Sequence, residues 1–213
     1  MFMSVCAFSF MDLIVKWSDD YPLGQVLFFR GFFGVVIYFF IMPRERIKNF
    51  YYTKRAKLHF LRCVFGLIAL IAIFIALRKL PLATVVSISF AAPIFTTIFS
   101  IILLNEKVGF YRWLAVLIGF IGIIVITEPG FGDLNIYYLF PIIFCLGLSY
   151  VAIAIRQLST TEPVWLISLN FSIVITLVGL FTIPFGWVMP NTQDLILLCM
   201  IGFLGGFANL WLS

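Results

Sequence analysis

Charged residues are scarce in this chain of 213 residues. They make up 11% of the sequence, whereas hydrophobic residues make up 63%. A soluble globular domain is about one quarter charged, so this chain has too few charges to face water on all sides. The composition therefore excludes a water-soluble globule and predicts a protein whose outer surface contacts the lipid bilayer.

Residues that bind metals or act as nucleophiles are also few. The sequence has four cysteines, no CxxC pair and a single histidine, His59, so it offers no cluster of metal ligands. It has no phosphate-binding loop and no nucleophile motif. We expect no enzymatic activity, no metal and no cofactor, and any transport should be secondary or facilitated.

The net charge of +5 is not spread as in a nucleic-acid-binding protein. Instead, one segment between two apolar spans, 43–57, is rich in basic residues and has a single acid, Glu45. The positive-inside rule places this segment, and with it the N-terminus, in the cytoplasm. We expect no nucleic-acid partner. The basic residues of the segment are Arg44, Arg46, Lys48, Lys54, Arg55 and Lys57.

Long apolar spans follow one another along the whole chain, with short polar connections. They are continuous rather than alternating, which favours membrane helices over the strands of a barrel. The N-terminus lacks the basic leading region of a signal peptide and is taken as the first helix. The predicted fold class is an all-α integral membrane protein, a multi-pass helix bundle. The eight spans are 1–18, 22–42, 58–78, 82–104, 110–127, 135–155, 164–188 and 194–213.

Two parts of the sequence share an order of features. In 6–24 and again in 145–165, a span ends near a basic residue and a proline opens the next span. Five spans per repeat would invert the second copy relative to the first, as in many secondary transporters with a binding site between the repeats. We expect one repeat at 1–130 and an incomplete one at 135–213, so that the chain is truncated to about eight of ten helices.

Three charged residues lie within the first two spans, namely Asp12, Lys16 and Arg30. At 1.5 Å per residue, Asp12 lies roughly 10 Å and Arg30 roughly 13 Å below the outer surface. A charge at that depth costs at least about 2–3 kcal/mol, so each should face the bundle interior. The cluster would hold a zwitterionic or anionic solute, or exchange a proton through Asp12. The alternatives are a structural Asp12–Arg30 bridge and a Lys16 side chain that extends to the surface.

Small polar residues form a stripe on the fourth span, at Ser89, Pro93, Thr96 and Ser100. Pro93 removes a backbone donor, so a kink is expected there. The stripe either lines a cavity or packs closely against another helix. A second stripe, with the same two interpretations, lies on the seventh span at Trp165, Ser168, Ser172, Thr176 and Gly179.

Several other polar and small residues in or near the spans also have an expected role. Asn170 and Asn209 are intramembrane amides that we expect to contact the solute. Ala115, Gly119 and Gly122 make one side of the fifth span smooth, which we interpret as a packing face. Glu106 should pair with Lys107 or Arg112.

One segment, LPLATVVSISFAAPIFTTIFSIILLNEKVGFYRWLAVLIGFIGIIVITEPG at 80–130, resembles the fourth and fifth helices of EamA-type permeases of the drug/metabolite transporter superfamily. The pieces DLIVKWSDDYPLGQVLFFRGFFG and NEK are similar to the family's pattern of a first-helix lysine, a second-helix arginine and a glutamate ending the fourth helix. Here these are Lys16, Arg30 and Glu106. The resemblance implies ten helices in two inverted repeats, with both ends in the cytoplasm of a bacterial cell.

The resemblance also implies a function. We expect a secondary transporter of the bacterial inner membrane that moves a small polar metabolite, amino-acid-like, vitamin or nucleoside-like, by alternating access. S-adenosylmethionine and riboflavin are suggested solutes of the branch that the first half resembles, and a proton is the expected coupling ion. The alternative is a non-transporting membrane scaffold or assembly subunit. The expected solute-binding residues are Asp12, Lys16, Arg30, Ser89, Pro93, Thr96, Asn170 and Asn209.

Overall fold

The computed structural model describes residues 2–41, 55–106, 109–127 and 136–212, and this part of the chain is helical without strands. All eight predicted spans contain helix, and the fourth is divided in two. The helices are α1 (Phe2–Trp17), α2 (Leu23–Ile41), α3 (Ala56–Lys79), α4 (Leu82–Ser89), α5 (Ala92–Leu104), α6 (Phe110–Thr127), α7 (Leu139–Leu158), α8 (Val164–Phe181) and α9 (Thr192–Leu212).

Six helical segments of the described residues are long and apolar enough to cross a membrane, by length and composition. They correspond to α2, α3, α4 with α5, α7 with the short 3₁₀ turn before it, α8 and most of α9. The all-α, multi-pass prediction is confirmed. The predicted basic residues Arg44, Arg46, Lys48 and Lys54, together with Glu45 and Lys107, lie outside the described residues.

Proline and left-handed backbone positions set several helix ends. Pro81 and Pro163 immediately precede α4 and α8, where a residue with fixed φ and no N–H suits a helix start. Asn105 ends α5 with φ of 51°, and asparagine tolerates this left-handed conformation better than most residues.

The chain forms two compact units. The first unit comprises residues 1–63 and 157–213, and the second comprises residues 64–156. The first thus contains α1, α2, the beginning of α3, α8 and α9, while the second contains the rest of α3 and α4 to α7.

In the first unit, α2 packs against both α8 and α9. The contact with α8 depends on small residues, since a Cβ on Gly31 would lie 2.5 Å from Thr176 Oγ1 and one on Gly34 would lie 2.8 Å from Ser172 Oγ. A Cβ on Gly179 would lie 2.7 Å from the Cα of Phe28. Ser172, Thr176 and Gly179 therefore serve close helix packing, one of the two interpretations of the stripe on the seventh span.

In the second unit, α7 packs against α3. A Cβ on Gly147 would lie 2.8 Å from the Cβ of Ala69, and the rings of Phe65 and Tyr150 are 4.3 Å apart between centroids.

The side of α6 that carries Ala115, Gly119 and Gly122 has no such close contact at its two glycines in the described part of the chain. A Cβ on Gly119 or Gly122 would meet no described atom within 4 Å. No described residue packs closely at these two glycines, and the interpretation of this side as a packing face stays a prediction.

Candidate functional site

Arg30 on α2 is the most deeply buried of the predicted site residues. Its residue surface is only 7% exposed, and its Nε has no hydrogen-bond partner among the described residues. Its guanidinium lies over the backbone of α9, where a Cβ on Gly205 would be 2.0 Å from Nη1. Asp12 on α1 is half-buried and interacts electrostatically with Arg30. The structure thus brings two of the three predicted charged residues together.

A second buried arginine, Arg62 on α3, belongs to the same site. It is 3% exposed, and neither its Nε nor its Nη1 has a hydrogen-bond partner in the described part of the chain. Its Cζ lies 4.0 Å from the centroid of the Phe171 ring on α8, a cation–π contact. Arg62 and Arg30 also interact electrostatically. Sequence reasoning did not select Arg62 as a site residue, because no pattern in the sequence distinguishes it from the basic residues just before it.

Tyr38 completes this group. The ring is 1% exposed and its hydroxyl lies 3.3 Å from the carbonyl oxygen of Gly206, to which it donates. It also forms a hydrogen bond with Ser168 and interacts electrostatically with both arginines. We refer to Asp12, Arg30, Tyr38, Arg62 and Phe171 as the arginine cluster. All five belong to the first unit.

The cluster has a surplus of positive charge. It contains two guanidinium cations and one carboxyl group, and guanidinium groups stay protonated in proteins. Burying a cation without full pairing costs several kcal/mol, since the group gives up its hydration. Such an arrangement is suited to an anionic group of a solute, which would supply acceptors to the N–H groups that have none.

The other predicted residues of the first unit lie on the same helices. Three of them are half-buried, namely Lys16, Asn170 and Asn209. Lys16 and Asn209 each have an interaction partner within the protein. Lys16 lies in the last turn of α1. Their contact with a solute stays a prediction.

Ser89, Pro93 and Thr96 lie in the second unit, at the break between α4 and α5. The kink predicted at Pro93 is present as an interruption of the helix at residues 90 and 91. Ser89 Oγ donates to the carbonyl of Val85 at 2.7 Å, and Thr96 Oγ1 lies 2.9 Å from the carbonyl oxygen of Ala92. These two hydroxyls are therefore engaged with backbone of their own helices, while Pro93 is exposed.

Two residues of α7 that sequence reasoning did not select satisfy the broken helix. Pro93 has no N–H to offer the carbonyl of Ser89, and the Cys145 thiol lies 3.6 Å from that oxygen and 3.4 Å from the carbonyl oxygen of Ile88. Ser149 Oγ lies 2.9 Å from the carbonyl oxygen of Ala92 and 3.0 Å from Thr96 Oγ1. Both residues are fully buried. The break is thus stabilised from a neighbouring helix, as expected for non-helical backbone in a membrane.

Polar contacts connect particular helix ends within each unit. In the first unit, His59 near the start of α3 pairs with Glu162 before α8, and Arg55 donates to the carbonyl of Gln157 at 3.2 Å. In the second unit, Arg156 Nη2 lies 2.8 Å from Glu106 Oε1. The prediction that Glu106 pairs with Lys107 or Arg112 did not anticipate this partner, because Arg156 is distant in sequence and approaches only through the packing of the helices.

The opposite ends of the first unit are also connected. Tyr21 donates from its hydroxyl to Asp194 Oδ2 at 2.7 Å, and Gln25 exchanges two hydrogen bonds with the backbone of Val188. The hydrogen bond to Asp194, followed by burial and the negative charge of that residue, raises the pKa of Tyr21 above its usual value. The segment between α1 and α2 therefore lies on the same side as the segment between α8 and α9, as alternating helices require.

Continuous apolar helices, a broken helix and buried charges are the features of a multi-pass helical membrane protein. The chain matches the family model of the EamA-like transporter family over residues 1–128. It belongs to this family.

Curated relatives support the assignment to a transporter family. An S-adenosylmethionine uptake transporter of Rickettsia prowazekii (strain Madrid E) is 29% identical over 184 residues, which cover 86% of this chain and 62% of the relative. A pseudopaline exporter of Pseudomonas aeruginosa (strain UCBPP-PA14) is 26% identical over 212 residues, covering 97% of this chain and 73% of the relative. An uncharacterized transporter of Helicobacter pylori (strain ATCC 700392 / 26695) is 29% identical over 218 residues, covering 97% and 72%. The chain thus spans about three fifths of the first relative's length.

Proposed function

We propose that this protein is a secondary transporter that carries a small polar metabolite across the bacterial inner membrane by alternating access. Its helices form two inverted repeats, 1–130 and 135–213, whose relative rocking exposes the site to one side and then the other. Family membership and the multi-pass helical fold support transport as the class of function. The amino-acid-like, vitamin or nucleoside-like solute and the mechanism are part of the proposal.

The observation that carries the proposal is the burial of Arg30 within a membrane helix, with an Nε–H group that has no hydrogen-bond partner among the described residues. Ionisable residues inside membrane segments are expensive and mark solute or ion pathways. A purely structural arginine would be expected to have its donors satisfied by the protein itself. Asp12 interacts electrostatically with Arg30, and this acid would serve either a cationic group of the solute or a coupling proton.

Names of relatives suggest the first solute to test. Rickettsia relatives are named as uptake transporters of S-adenosylmethionine, and the relative from Pseudomonas is named as an exporter. S-adenosylmethionine carries a carboxylate, an ammonium group, a sulfonium group and an adenine ring. The arginine cluster offers cations, an acid and two aromatic rings for groups of these kinds. Direction of transport is left to the experiment.

The proposed orientation has the N-terminus in the cytoplasm. The basic segment 43–57 then lies inside, as the positive-inside rule requires. The contacts of His59 with Glu162 and of Arg55 with Gln157 join the ends of helices that this orientation assigns to the cytoplasmic side.

Transport by purified protein in proteoliposomes tests the function. We expect uptake of S-adenosylmethionine or of another member of a panel of amino acids, vitamins and nucleosides, with a dependence on an imposed pH gradient if a proton is coupled. Liposomes without protein give the background. Failure to move any member of the panel, with or without the gradient, would contradict the proposal and favour a membrane scaffold.

A further inference from the structure

We infer that Arg62 and Arg30 together form a binding site for a carboxylate group. The choice of S-adenosylmethionine as the bound molecule rests on the proposed transport function. The carboxylate site itself is argued from the two arginines. Arg62 has no assigned role in the expected site. It lies over the Phe171 ring, and the next residue, Ser172, contacts α2 one turn from Arg30, since a Cβ on Gly34 would lie 2.8 Å from Ser172 Oγ.

The unpaired donors of the two arginines carry the argument. Both residues are more than nine tenths buried, and three of their N–H nitrogens have no hydrogen-bond partner among the described residues: Nε of Arg30 and both Nε and Nη1 of Arg62. A guanidinium is a planar fork of donors that matches the two oxygens of a carboxylate. On Arg62 the two nitrogens without a partner among the described residues, Nε and Nη1, lie on different edges of the guanidinium, so each offers a single charge-assisted hydrogen bond to a carboxylate oxygen.

Neighbouring residues hold the two guanidinium groups in place. The Phe171 ring lies 4.0 Å from Cζ of Arg62, so stacking fixes the plane of that group while leaving its edge available. Arg30 is confined over Gly205, where no side chain would fit. Because both groups are held before a ligand arrives, little side-chain entropy remains to be lost on binding.

The balance of charge in the cluster favours a ligand that carries both a carboxylate and a cationic group. Two guanidinium groups interact unfavourably with each other, and Asp12 offsets only one of them. A carboxylate between them would remove the imbalance, and Asp12 would then be available to an ammonium or sulfonium group of the same molecule. The ligand class is therefore a zwitterion with a carboxylate.

Two probes that differ only in this group test the inference. S-adenosylmethionine and its decarboxylated analogue share the adenine, sulfonium and ammonium groups, and both are applied to the protein in the absence of a membrane potential. Binding is measured as thermal stabilisation in detergent, and transport as uptake into proteoliposomes. The variants are Arg62→Gln, Arg62→Lys and, as a control on the same helix, the exposed Lys57→Gln.

We expect the wild-type protein and Lys57→Gln to prefer the carboxylate probe about 10-fold or more, because only that probe accepts charge-assisted hydrogen bonds from the two arginines. In Arg62→Gln the preference should fall to about 1, and Arg62→Lys should retain part of it because a point charge replaces the fork. An equal loss for both probes would indicate a structural role and overturn the inference, as would an unchanged preference.

The two measurements separate this inference from the proposed function. Stabilisation by S-adenosylmethionine that depends on Arg62, without uptake, supports the carboxylate site and contradicts transport of that solute. Uptake of both probes with no preference contradicts the site and leaves transport intact. If acetate and inorganic phosphate stabilise the protein as strongly as S-adenosylmethionine, the site is a general anion site and the assignment to a carboxylate-bearing zwitterion is wrong.

Discussion

Gly205 on α9 leaves the space that the guanidinium of Arg30 on α2 occupies, since a Cβ at position 205 would lie 2.0 Å from Nη1. The site thus depends on a residue with no side chain. Glycine in a helix is otherwise unfavourable by about 0.5–1 kcal/mol relative to alanine, so its presence here is explained by the close approach of Arg30.

A methyl group at this position should disturb the site. We expect Gly205→Ala to displace Arg30 and to lower transport about 10-fold or more, the size of effect that misplacement of one charge-assisted contact produces. Gly119→Ala on α6 is the matched control, because a Cβ there would meet no described atom within 4 Å. The uptake of solute into proteoliposomes is measured for both variants. Wild-type uptake by Gly205→Ala would show that Arg30 need not lie where the structure has it.

The hydroxyl of Ser149 should contribute to stability through the broken fourth span. It is fully buried and lies 2.9 Å from the carbonyl oxygen of Ala92. Ser149→Ala removes this contact and the one with Thr96, and should lower the free energy of unfolding by about 1 kcal/mol, as is typical of polar contacts between membrane helices. Denaturation in mixed micelles measures it. The exposed Ser9→Ala on α1 should change nothing, and equal stability of the two variants would contradict the role of Ser149.

Two acid–base pairs differ in burial and should therefore differ in energy. His59 and Glu162 are both buried, with side chains 8% and 5% exposed, whereas Arg156 and Glu106 are 63% and 31% exposed. Glu162→Ala should destabilise the protein by about 3 kcal/mol, because removal of one partner leaves a buried polar group unpaired. Glu106→Ala should cost no more than about 1 kcal/mol. The comparison uses the same denaturation measurement, and a larger effect of Glu106→Ala would contradict the assigned burial.

Because Tyr21 donates a hydrogen bond to Asp194, we expect the thermal stability of the protein to depend on pH in the alkaline range. The hydrogen bond to Asp194 raises its pKa in the folded protein above the value of about 10 that a free tyrosine has. The neutral phenol therefore stabilises the fold fully below that value, and the contribution is lost as the pH rises through the folded pKa. Tyr21→Phe should melt at a lower temperature than wild type at pH 8, and the difference should shrink above pH 10. Tyr111→Phe, at an exposed tyrosine, is the control. A difference that is independent of pH would contradict the hydrogen bond.

The sequence was sufficient to predict the helices, because eight long apolar spans leave helix as the structure that satisfies their backbone in lipid. Pro93 likewise predicted the break in the fourth span, since a missing N–H has a local effect. The thiol of Cys145 and the hydroxyl of Ser149 satisfy the break, and they could not be predicted because they depend on which helix packs beside α4 and α5.

The candidate site was predicted in part for the same reason. Arg30 and Asp12 were found because their depth in a span is readable from residue counting. Arg62 was missed because it follows directly on the basic segment, where charge is explained by orientation alone. Its burial against Phe171 is a property of tertiary packing.

Counterflow of radiolabelled S-adenosylmethionine into preloaded proteoliposomes tests the central claim most directly. Wild-type protein is compared with Arg30→Met, which keeps an unbranched side chain and removes the charge, and thermal melting verifies that the variant is folded. The account predicts accumulation of label by the wild-type protein and a fall to the background of protein-free liposomes in Arg30→Met. Accumulation by the folded variant at the wild-type rate would contradict it.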